Sequence, residues 1–391
     1  LLLGACATLP LTADDPGVEA GIAFDLNGER GGYVQGIADP ATGQAATLDD
    51  PVRVASVSKL VVAIGAMKLA EQGHLSLNED VSRYLGWTLR NPAFPYQPIS
   101  LRSLLSHTAG VRDHNDQYAV PLGETVRGAM ADPHSWDLAH GPTERHFTYA
   151  NMNFPIIASV LERVTGERFD VLMRRLVLQP LKLDACFNWP GCSDRAVRQA
   201  VVLTQGGKPV RDDLGGRRPD CPVFRRDGTA CDLAGWRPGA NGALFAPQGG
   251  LRISVRGLAR LGQLLLHGGE LDGARILSPA SVAELLRPQW RFTGNNGDTD
   301  SGFYCSYGLA THQIATGAPG CRDDAGGDHV PRVGHAGEAY GLRSGLWIDP
   351  VAGTGIAYFR TGLSDSTPRR RSAFRAAEER AFRRTAGLLR R

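Results

Sequence analysis

The sequence predicts a two-lobed α+β (α/β) fold, in which an antiparallel sheet flanked by helices adjoins a mainly helical lobe. Three observations support this prediction. Strand patterns lie near both ends of the 391-residue chain, and helical patterns fill its middle. The composition, 42% hydrophobic and 21% charged, is typical of a globular protein with a large core. We therefore expect the two ends to meet in one sheet, flanked by the helix that follows Ser56 and by a C-terminal helix.

The N-terminal part predicts a hairpin followed by helices. Residues 21–24 and 33–37 have strand character on either side of an Asn-Gly pair, which is a strong hairpin signal. A mostly apolar run predicts a helix over residues 56–72, and Gly73 is a typical residue at a helix end. A short second helix is predicted within residues 75–85.

The middle of the chain predicts three more helices and two irregular segments. Helices are predicted over residues 99–106, 154–165 and 169–178, and the second of these is clearly amphipathic. Residues 111–145 form a polar, irregular loop. Residues 186–245 are rich in Gly, Pro, Asp and Arg, and a loop of that length is usually functional. We expect it to wall a binding cleft.

Strand patterns return late in the chain, at residues 307–313, 343–348 and 355–360. Helices are predicted before them, over 255–266 and 279–286, and a last helix begins near Ser372.

These elements predict a domain organisation in three parts. Residues 1–16 are a signal remnant and tether, residues 17–75 and 300–391 form the sheet domain, and residues 76–299 form the helical domain with its insert. Ligand sites favour the crevice between such lobes.

Charge gives little support for binding to nucleic acid. The formal net charge is +3, but residues 369–391 alone contain nine Arg against two Glu. The positive charge therefore belongs to one C-terminal helix, for which a solvated face is the simpler interpretation.

The first six residues, Leu-Leu-Leu-Gly-Ala-Cys, are similar to a bacterial lipoprotein processing site. We expect Cys6 to carry a lipid anchor, to be the chain's only membrane contact, and to place the protein in the periplasm or cell envelope. No later stretch is apolar and long enough to span a bilayer.

Six cysteines remain when Cys6 is set aside, and none has the spacing of a metal site. Six cysteines allow fifteen pairings. Short loops favour the sequential set, which is 186–192, 221–231 and 305–321. Cysteines in loops of this kind predict an oxidising compartment, and no metal or other cofactor is expected.

Ser56 and Lys59 lie three residues apart at the start of a predicted helix, so their side chains share one face. A serine hydroxyl becomes nucleophilic when a neighbour accepts its proton. Lys can do this when its pKa is lowered, whereas Arg cannot. Only four of the 43 basic residues are Lys, which favours a requirement for a deprotonatable amine. The alternative is a helix-capping Ser beside a solvated Lys.

Three motifs occur in order along the chain: Ser56-x-x-Lys59, Tyr149-x-Asn151 and His335-x-Gly337. With their flanking segments they resemble the serine β-lactamase and penicillin-binding protein superfamily, and most of all its class C β-lactamase-related branch. The resemblance covers roughly residues 16–365 and is weakest in the insert. It implies a β-lactamase-like fold.

The resemblance also implies roles for the first two motifs. Ser56 would attack a carbonyl and form an acyl-enzyme, and Lys59 would share or accept its proton. Tyr149 would be a second candidate base, acting as a phenolate or as a proton relay to the leaving group, and a nearby ammonium can lower the pKa of a phenol. Asn151 would hold Lys59 and the amide of the substrate's acyl side chain, or cap a helix, and the two roles are compatible.

The third motif departs from the lactamase pattern, in which Lys usually stands at the position of His335. An imidazole is a weaker anchor for a substrate carboxylate than an ammonium, so efficient β-lactam hydrolysis is in doubt. Gly337 would let the substrate backbone approach a strand. The backbone N–H groups of Ser56 and Glu338 would form an oxyanion hole, and the Glu338 side chain would repel anions or recruit an amine.

We therefore predict a monomeric serine hydrolase that acts through an acyl-enzyme on an amide or ester. The substrate would be a β-lactam, a D-amino-acid peptide or an ester. The alternatives are a carboxylesterase of the same family and a non-catalytic, penicillin-recognising cell-wall binding protein.

Overall fold

The structure is a computed structural model, and it describes residues 17–364, 369 and 371–390. The predicted signal remnant and lipidated Cys6 lie outside the described residues. None of the helices in these ranges has both the length and the apolar character that a bilayer-crossing helix needs.

An eight-stranded antiparallel sheet joins the two ends of the described chain. Its strands, β1 to β8 in chain order, are Glu19–Asp25, Gly28–Gln35, Trp290–Arg291, Ser306–Tyr307, His312–Ile314, Arg332–Ala339, Leu342–Asp349 and Thr354–Arg360. Their order in the sheet is β3-β4-β5-β6-β7-β8-β1-β2. The predicted meeting of N- and C-terminal strands is therefore confirmed, and the Asn-Gly turn joins β1 to β2.

Ten α-helices lie in the described residues. They are, from α1 to α10, Ser58–Glu71, Ser82–Leu85, Leu101–Leu105, Val126–Ala129, Asn153–Thr165, Phe169–Met173, Asp194–Arg198, Val255–Leu266, Pro279–Leu286 and Ala376–Ala386. The predicted helix over 169–178 is α6 followed by a π-helical turn.

Helices cover both faces of the sheet. Trp347 and Tyr358 pack against α10 on one face, while Leu346 and Phe359 belong to the core on the other face, where α8 packs. This alternation follows from the period of two in a strand, which sends successive side chains to opposite faces.

The position of α1 differs from the prediction. This helix does not flank the sheet; it lies inside the helical lobe and contacts α5, α6 and α9. Every residue from Ser58 to Met67 is buried, as expected for a helix that is apolar on almost all sides. The helix that flanks the sheet in its place is α8.

Two further predictions need correction. The predicted strand over 307–313 is two short strands, β4 and β5, that are joined by a turn. The predicted domain boundary at residue 299 does not separate the layers, because β3 and α8 precede it and pair with or pack on the sheet.

The insert over 186–245 contains α7 and otherwise mostly turns and irregular backbone. Three disulfides join Cys186 to Cys192, Cys221 to Cys231, and Cys305 to Cys321, which confirms the predicted sequential pairing.

A small three-stranded sheet of Val52–Arg53, Leu251–Ile253 and Cys186–Phe187 ties the start of the insert to the segment before Ser56. The remaining short ladders pair Ile37–Asp39 with Gln44–Ala45, Thr204–Gln205 with Lys208–Pro209, and Glu270–Leu271 with Ala274–Arg275.

Candidate active site

Ser56 lies in a 3₁₀ turn, Ala55–Val57, that leads directly into α1. The residue before the turn is fixed by two hydrogen bonds: Val54 N–H donates to Leu251 O over 2.9 Å, and Ser344 Oγ donates to Val54 O over 2.8 Å. Ala55 has a φ of 48°, a left-handed conformation that is costly for a residue with a side chain. The surrounding contacts hold this strained turn, and strain of this kind is common at functional sites.

Lys59 is fully buried, and its amine has three acceptors. Nζ lies 2.8 Å from Ser56 Oγ, 2.8 Å from Asn151 Oδ1 and 2.9 Å from the main-chain oxygen of Gln248. Burial lowers the pKa of Lys59 to about 7, because a charged amine is poorly solvated there, and the carboxylate of Asp113 partly opposes this effect. The predicted pairing of Ser56 with Lys59 is present, and near neutral pH the amine can accept a proton.

Asn151 connects this amine to Asp113. The Asp113 carboxylate accepts hydrogen bonds from the Asn151 backbone and side chain and from the backbone of Met152, at 2.8–3.0 Å. Asp113 therefore caps the start of α5 from a loop that is distant in the sequence, because it accepts hydrogen bonds from donors there. Sequence reasoning missed Asp113, since 38 residues separate it from Asn151 and no local motif marks the contact.

Replacing Asp113 with Asn will shift the acidic limb of the activity profile to lower pH. The carboxylate favours the charged form of Lys59, so its removal lowers the pKa of Lys59 further. If Lys59 must be neutral to act, we expect kcat/KM to reach half its plateau about half a pH unit lower or more. A pH profile measures this, and Asp116→Asn in the same loop is the control. An unchanged or upward-shifted midpoint would contradict the prediction.

Tyr149 lies in an aromatic stack beside Ser56. Its ring centroid is 4.4 Å from that of His107 and 4.8 Å from that of Tyr304, and its hydroxyl interacts with the Ser56 hydroxyl. Burial raises the pKa of Tyr149 above its usual value, and the carboxylates of Asp113 and Glu338 add to this rise.

The expected lowering of the Tyr149 pKa by the Lys59 ammonium is therefore wrong. The Lys59 amine lies 5.0 Å from the Tyr149 ring centroid. The same burial disfavours the charged form of this amine, so it stabilises a phenolate less. A protonated phenol is the form that this environment favours, and it can donate a proton rather than accept one.

His335 is placed behind the site rather than at its surface. The side chain is buried, Nδ1 donates to Ala336 O, and Nε2 accepts from the Tyr307 hydroxyl over 2.8 Å. Burial holds the pKa of His335 well below its usual value, so the ring is neutral. The predicted direct contact with a substrate carboxylate is not available in this arrangement, because both ring nitrogens are already engaged.

Gly337 was predicted to let a substrate backbone approach a strand, and in the structure it lies against the turn that carries Ser56. A Cβ at this position would overlap Val54 O and Ser344 Oγ and would lie 3.3 Å from Ser56 N. The missing side chain thus lets β6 approach the turn that carries Ser56. The neighbouring Glu338 side chain is 65% exposed and pairs with Arg343, which is buried, so its charge is compensated.

Replacing Gly337 with Ala will displace the turn that carries Ser56. The atoms that a Cβ would meet are mostly backbone, and these cannot move aside cheaply. We expect a loss of about 1–3 kcal/mol in the free energy of unfolding and at least a tenfold fall in kcat. Chemical denaturation and steady-state kinetics measure these effects. Gly235→Ala is the control, because nothing lies within 4 Å of the place that its new methyl group would take. Wild-type kcat in Gly337→Ala would refute this role.

Ser56 lies between two cavities. The first has a volume of about 460 Å³ and is bordered by Asn151, Gln248, Glu338 and residues of the insert. The second has a volume of about 230 Å³ and is bordered by Tyr149, Tyr304, Gly337 and residues near α10. A larger cavity of about 660 Å³ lies beside α8 and contains none of the predicted site residues.

Two groups of side chains in the described residues have donors close enough to hold a metal ion. They are His114, Asp132 and His134, and Asp137, His140 and His146. Neither group borders the two cavities beside Ser56.

The family described as "Beta-lactamase" matches residues 19–381. The chain belongs to the beta-lactamase family. The resemblance drawn from its three motifs is confirmed, and so is its assignment as a hydrolase of this family.

The individual relatives have low sequence identity to this chain. The chain is 24% identical to penicillin-binding protein 4 of Amycolatopsis lactamdurans, over 88% of this chain and 80% of that protein. It is 27% identical to the D-alanyl-D-alanine-carboxypeptidase/endopeptidase AmpH of Escherichia coli K12, over 43% of this chain and 44% of that protein.

Solved structures confirm the β-lactamase-like fold. A class C beta lactamase from Rhodobacter sphaeroides superposes with a TM-score of 0.66 and 16% identity, over 96% of this chain and 95% of that one. A D-amino acid amidase from Ochrobactrum anthropi superposes with a TM-score of 0.64 and 18% identity, over 95% and 94% of the chains. At such identities the likeness concerns the fold alone.

Proposed function

We propose that this beta-lactamase-family hydrolase acts through an acyl-enzyme on Ser56, with Lys59 as the base. One observation carries the proposal: a fully buried amine with a pKa of about 7 lies 2.8 Å from the Ser56 hydroxyl. A base whose pKa is near the working pH is the most effective in general base catalysis. This arrangement also speaks against a non-catalytic binding protein, which has no need of a buried, deprotonatable amine.

In the first step neutral Lys59 takes the Ser56 proton as Oγ attacks the substrate carbonyl. The backbone N–H groups of Ser56 and Glu338 are proposed to stabilise the negative oxygen of the tetrahedral intermediate. Protonated Tyr149, beside Ser56, donates its proton to the leaving group and regains one from Lys59. Water then hydrolyses the ester on Ser56, with the same groups moving protons in reverse.

For the substrate, we favour an amide bond in a small molecule or peptide. One relative is named as a D-alanyl-D-alanine carboxypeptidase/endopeptidase, and one structural neighbour as a D-amino acid amidase. An amine leaving group needs a proton, and the neutral phenol of Tyr149 can supply it. A carboxylesterase of the same family is the alternative, because an ester leaving group makes a smaller demand on that proton.

The disulfides support a proposal for the cellular location of the protein. Three disulfides support an oxidising compartment, and we propose the bacterial periplasm or cell envelope. The lipid anchor at Cys6 and the monomeric state remain predictions.

Labelling with a fluorophosphonate, followed by mass mapping of the modified peptide, tests the proposal. We expect one adduct, on Ser56, whose formation a fluorescent penicillin slows. Absence of an adduct, or an adduct on another residue, would overturn the proposal. Nitrocefin, a D-Ala-D-Ala peptide and a p-nitrophenyl ester then separate lactamase, peptidase and esterase activity.

A further inference from the structure

Two histidines are brought together in the loop over residues 111–146, away from the cavities beside Ser56. Arg112 N–H donates to Ser135 O over 2.9 Å, and an isolated antiparallel bridge pairs the next residues along. Residue numbers run in opposite directions across an antiparallel pair, so His114 and His134 fall within one position of each other. Their ring centroids are 4.7 Å apart. The backbone therefore fixes this approach of two imidazoles.

A carboxylate completes the group. Asp132 Oδ1 accepts a hydrogen bond from the backbone N–H of His134 over 2.9 Å and lies 2.9 Å from His134 Nδ1. Pro133 stands between the two residues, and its ring restricts the backbone there. The carboxylate and the imidazole are thus arranged side by side before any ligand binds.

The spacing of the three side chains suits one metal ion. One donor atom from each of His114, Asp132 and His134 lies within 4.8 Å of the other two. Zinc binds N and O donors at about 2.0–2.2 Å, so neighbouring ligands in a tetrahedral site are about 3.3 Å apart. A histidine ring turns easily about its outer torsion, and a small rotation closes the difference. The side chains of Asp132 and His134 are 46% and 73% exposed, so an ion can enter from solvent and keep a bound water.

The donor chemistry favours a borderline transition metal. Calcium and magnesium prefer sites made only of oxygen atoms, whereas two imidazoles and a carboxylate are typical ligands of zinc. Within the described part of the chain, Asp132 forms an ion pair with His134 and with no Arg or Lys. Its negative charge is therefore available to a cation.

The other group, Asp137, His140 and His146, is less suited to a cation. The Arg112 guanidinium lies 3.1 Å from the Asp137 carboxylate, whose side chain is only 4% exposed. This guanidinium already occupies the carboxylate and repels a second positive charge. The comparison favours the group that contains His114 as the metal site, and it makes the other group a matched control.

We propose that His114, Asp132 and His134 bind one Zn²⁺ ion. No metal was expected from the sequence, because the ligands come from two segments of a long loop. The ion joins those segments next to Asp113, whose carboxylate accepts hydrogen bonds from Asn151 and Met152. The site is thus a structural one, which fastens the loop that caps α5. It does not depend on the chemistry proposed for Ser56.

Calorimetric titration of the untagged, metal-stripped chain with Zn²⁺ tests the proposal. We expect saturable binding of one ion per chain, and a Kd that is about tenfold higher or more in His114→Ala and in His134→Ala, because each variant removes a ligand. Co²⁺ is a second probe, since its visible absorption reports the coordination geometry. The bands of bound Co²⁺ should be present with the wild type and lost with His134→Ala.

His140→Ala is the control and should keep the wild-type Kd for Zn²⁺ within about twofold. Thermal unfolding of each metal-free variant shows whether it is folded, and the exposed His134 side chain can be removed with little effect on stability. Three results would each overturn the proposal: no saturable binding of Zn²⁺ by the wild type, wild-type affinity in both His114→Ala and His134→Ala, or a loss of binding in His140→Ala alone.

Discussion

Replacing Ser56 with Ala will abolish labelling by fluorophosphonates and lower hydrolysis by about 10⁴-fold or more. The hydroxyl is the proposed attacking group, and alanine offers nothing for the carbonyl to react with. The fold should be unaffected, because the turn is held by backbone and side-chain contacts of Val54 rather than by the Ser56 hydroxyl. The measurements are mass mapping, steady-state kinetics and thermal unfolding.

Ser58, the first residue of α1, provides a matched control next to the turn. Its Oγ is buried, donates to Ala55 O over 2.6 Å and accepts from Leu251 N over 3.0 Å. Ser58→Ala should therefore lose about 1–3 kcal/mol in the free energy of unfolding and still be labelled at Ser56. The two variants thus separate chemistry from stability. Labelling of Ser56→Ala at the wild-type rate would contradict the assignment of the nucleophile.

Sequence reasoning succeeded where the signal was local. The Ser56–Lys59 contact follows from a spacing of three residues at a helix start, and the hairpin at β1 and β2 follows from its Asn-Gly turn. The disulfide pairing followed from short loops. Each of these features is decided by residues that are neighbours in the chain.

The motifs identified His335 and Gly337 as site residues, but their contacts depend on how β6 packs. The His335 ring faces Tyr307, and the missing Gly337 side chain makes room for the Ser56 turn. Which neighbour a strand residue meets is set by the element packed against it, and no pattern within β6 contains that information. Asp113 was missed for the same reason.

The ionisation of Tyr149 shows a second limit. The sequence placed a phenol near an amine, and Coulomb attraction alone predicts a lowered phenol pKa. Burial has the larger effect, because it disfavours both the phenolate and the ammonium. It raises the pKa of Tyr149 and lowers that of Lys59. The depth of a side chain is a property of the folded structure, so the choice of base could not be made from the sequence.

The assignment of Lys59 as the base leads to the second large expected effect on the rate. Lys59→Met will lower the rate of acylation by about 10²–10⁴-fold, the usual contribution of a general base. Lys59→Arg should not restore it, because a guanidinium does not release its proton in this range. Lys68→Met, on the same helix but outside the site, is the control and should keep wild-type rates. Stopped-flow acylation with an ester measures the change.

The pH dependence distinguishes Lys59 from Tyr149 as the base. Lys59 must be neutral to accept the Ser56 proton, so wild-type kcat/KM should rise with pH and reach half its plateau near pH 7. Tyr149→Phe should be slower yet keep this midpoint, because Lys59 remains. If Lys59→Met retains the same midpoint, or if Tyr149→Phe loses it, Tyr149 is the base.

Stability gives an independent readout of the same amine. The pKa of Lys59 is about 7 in the folded state and 10.5 without the protein environment, so the unfolded chain binds more protons between these values. The contribution of this group to the free energy of unfolding therefore rises with pH from about 7 to 10.5. Lys59→Met removes that slope and should be more stable than wild type at neutral pH, because it no longer buries an amine. A variant that loses activity and gains stability in this way identifies a group whose burial serves catalysis at the expense of the fold.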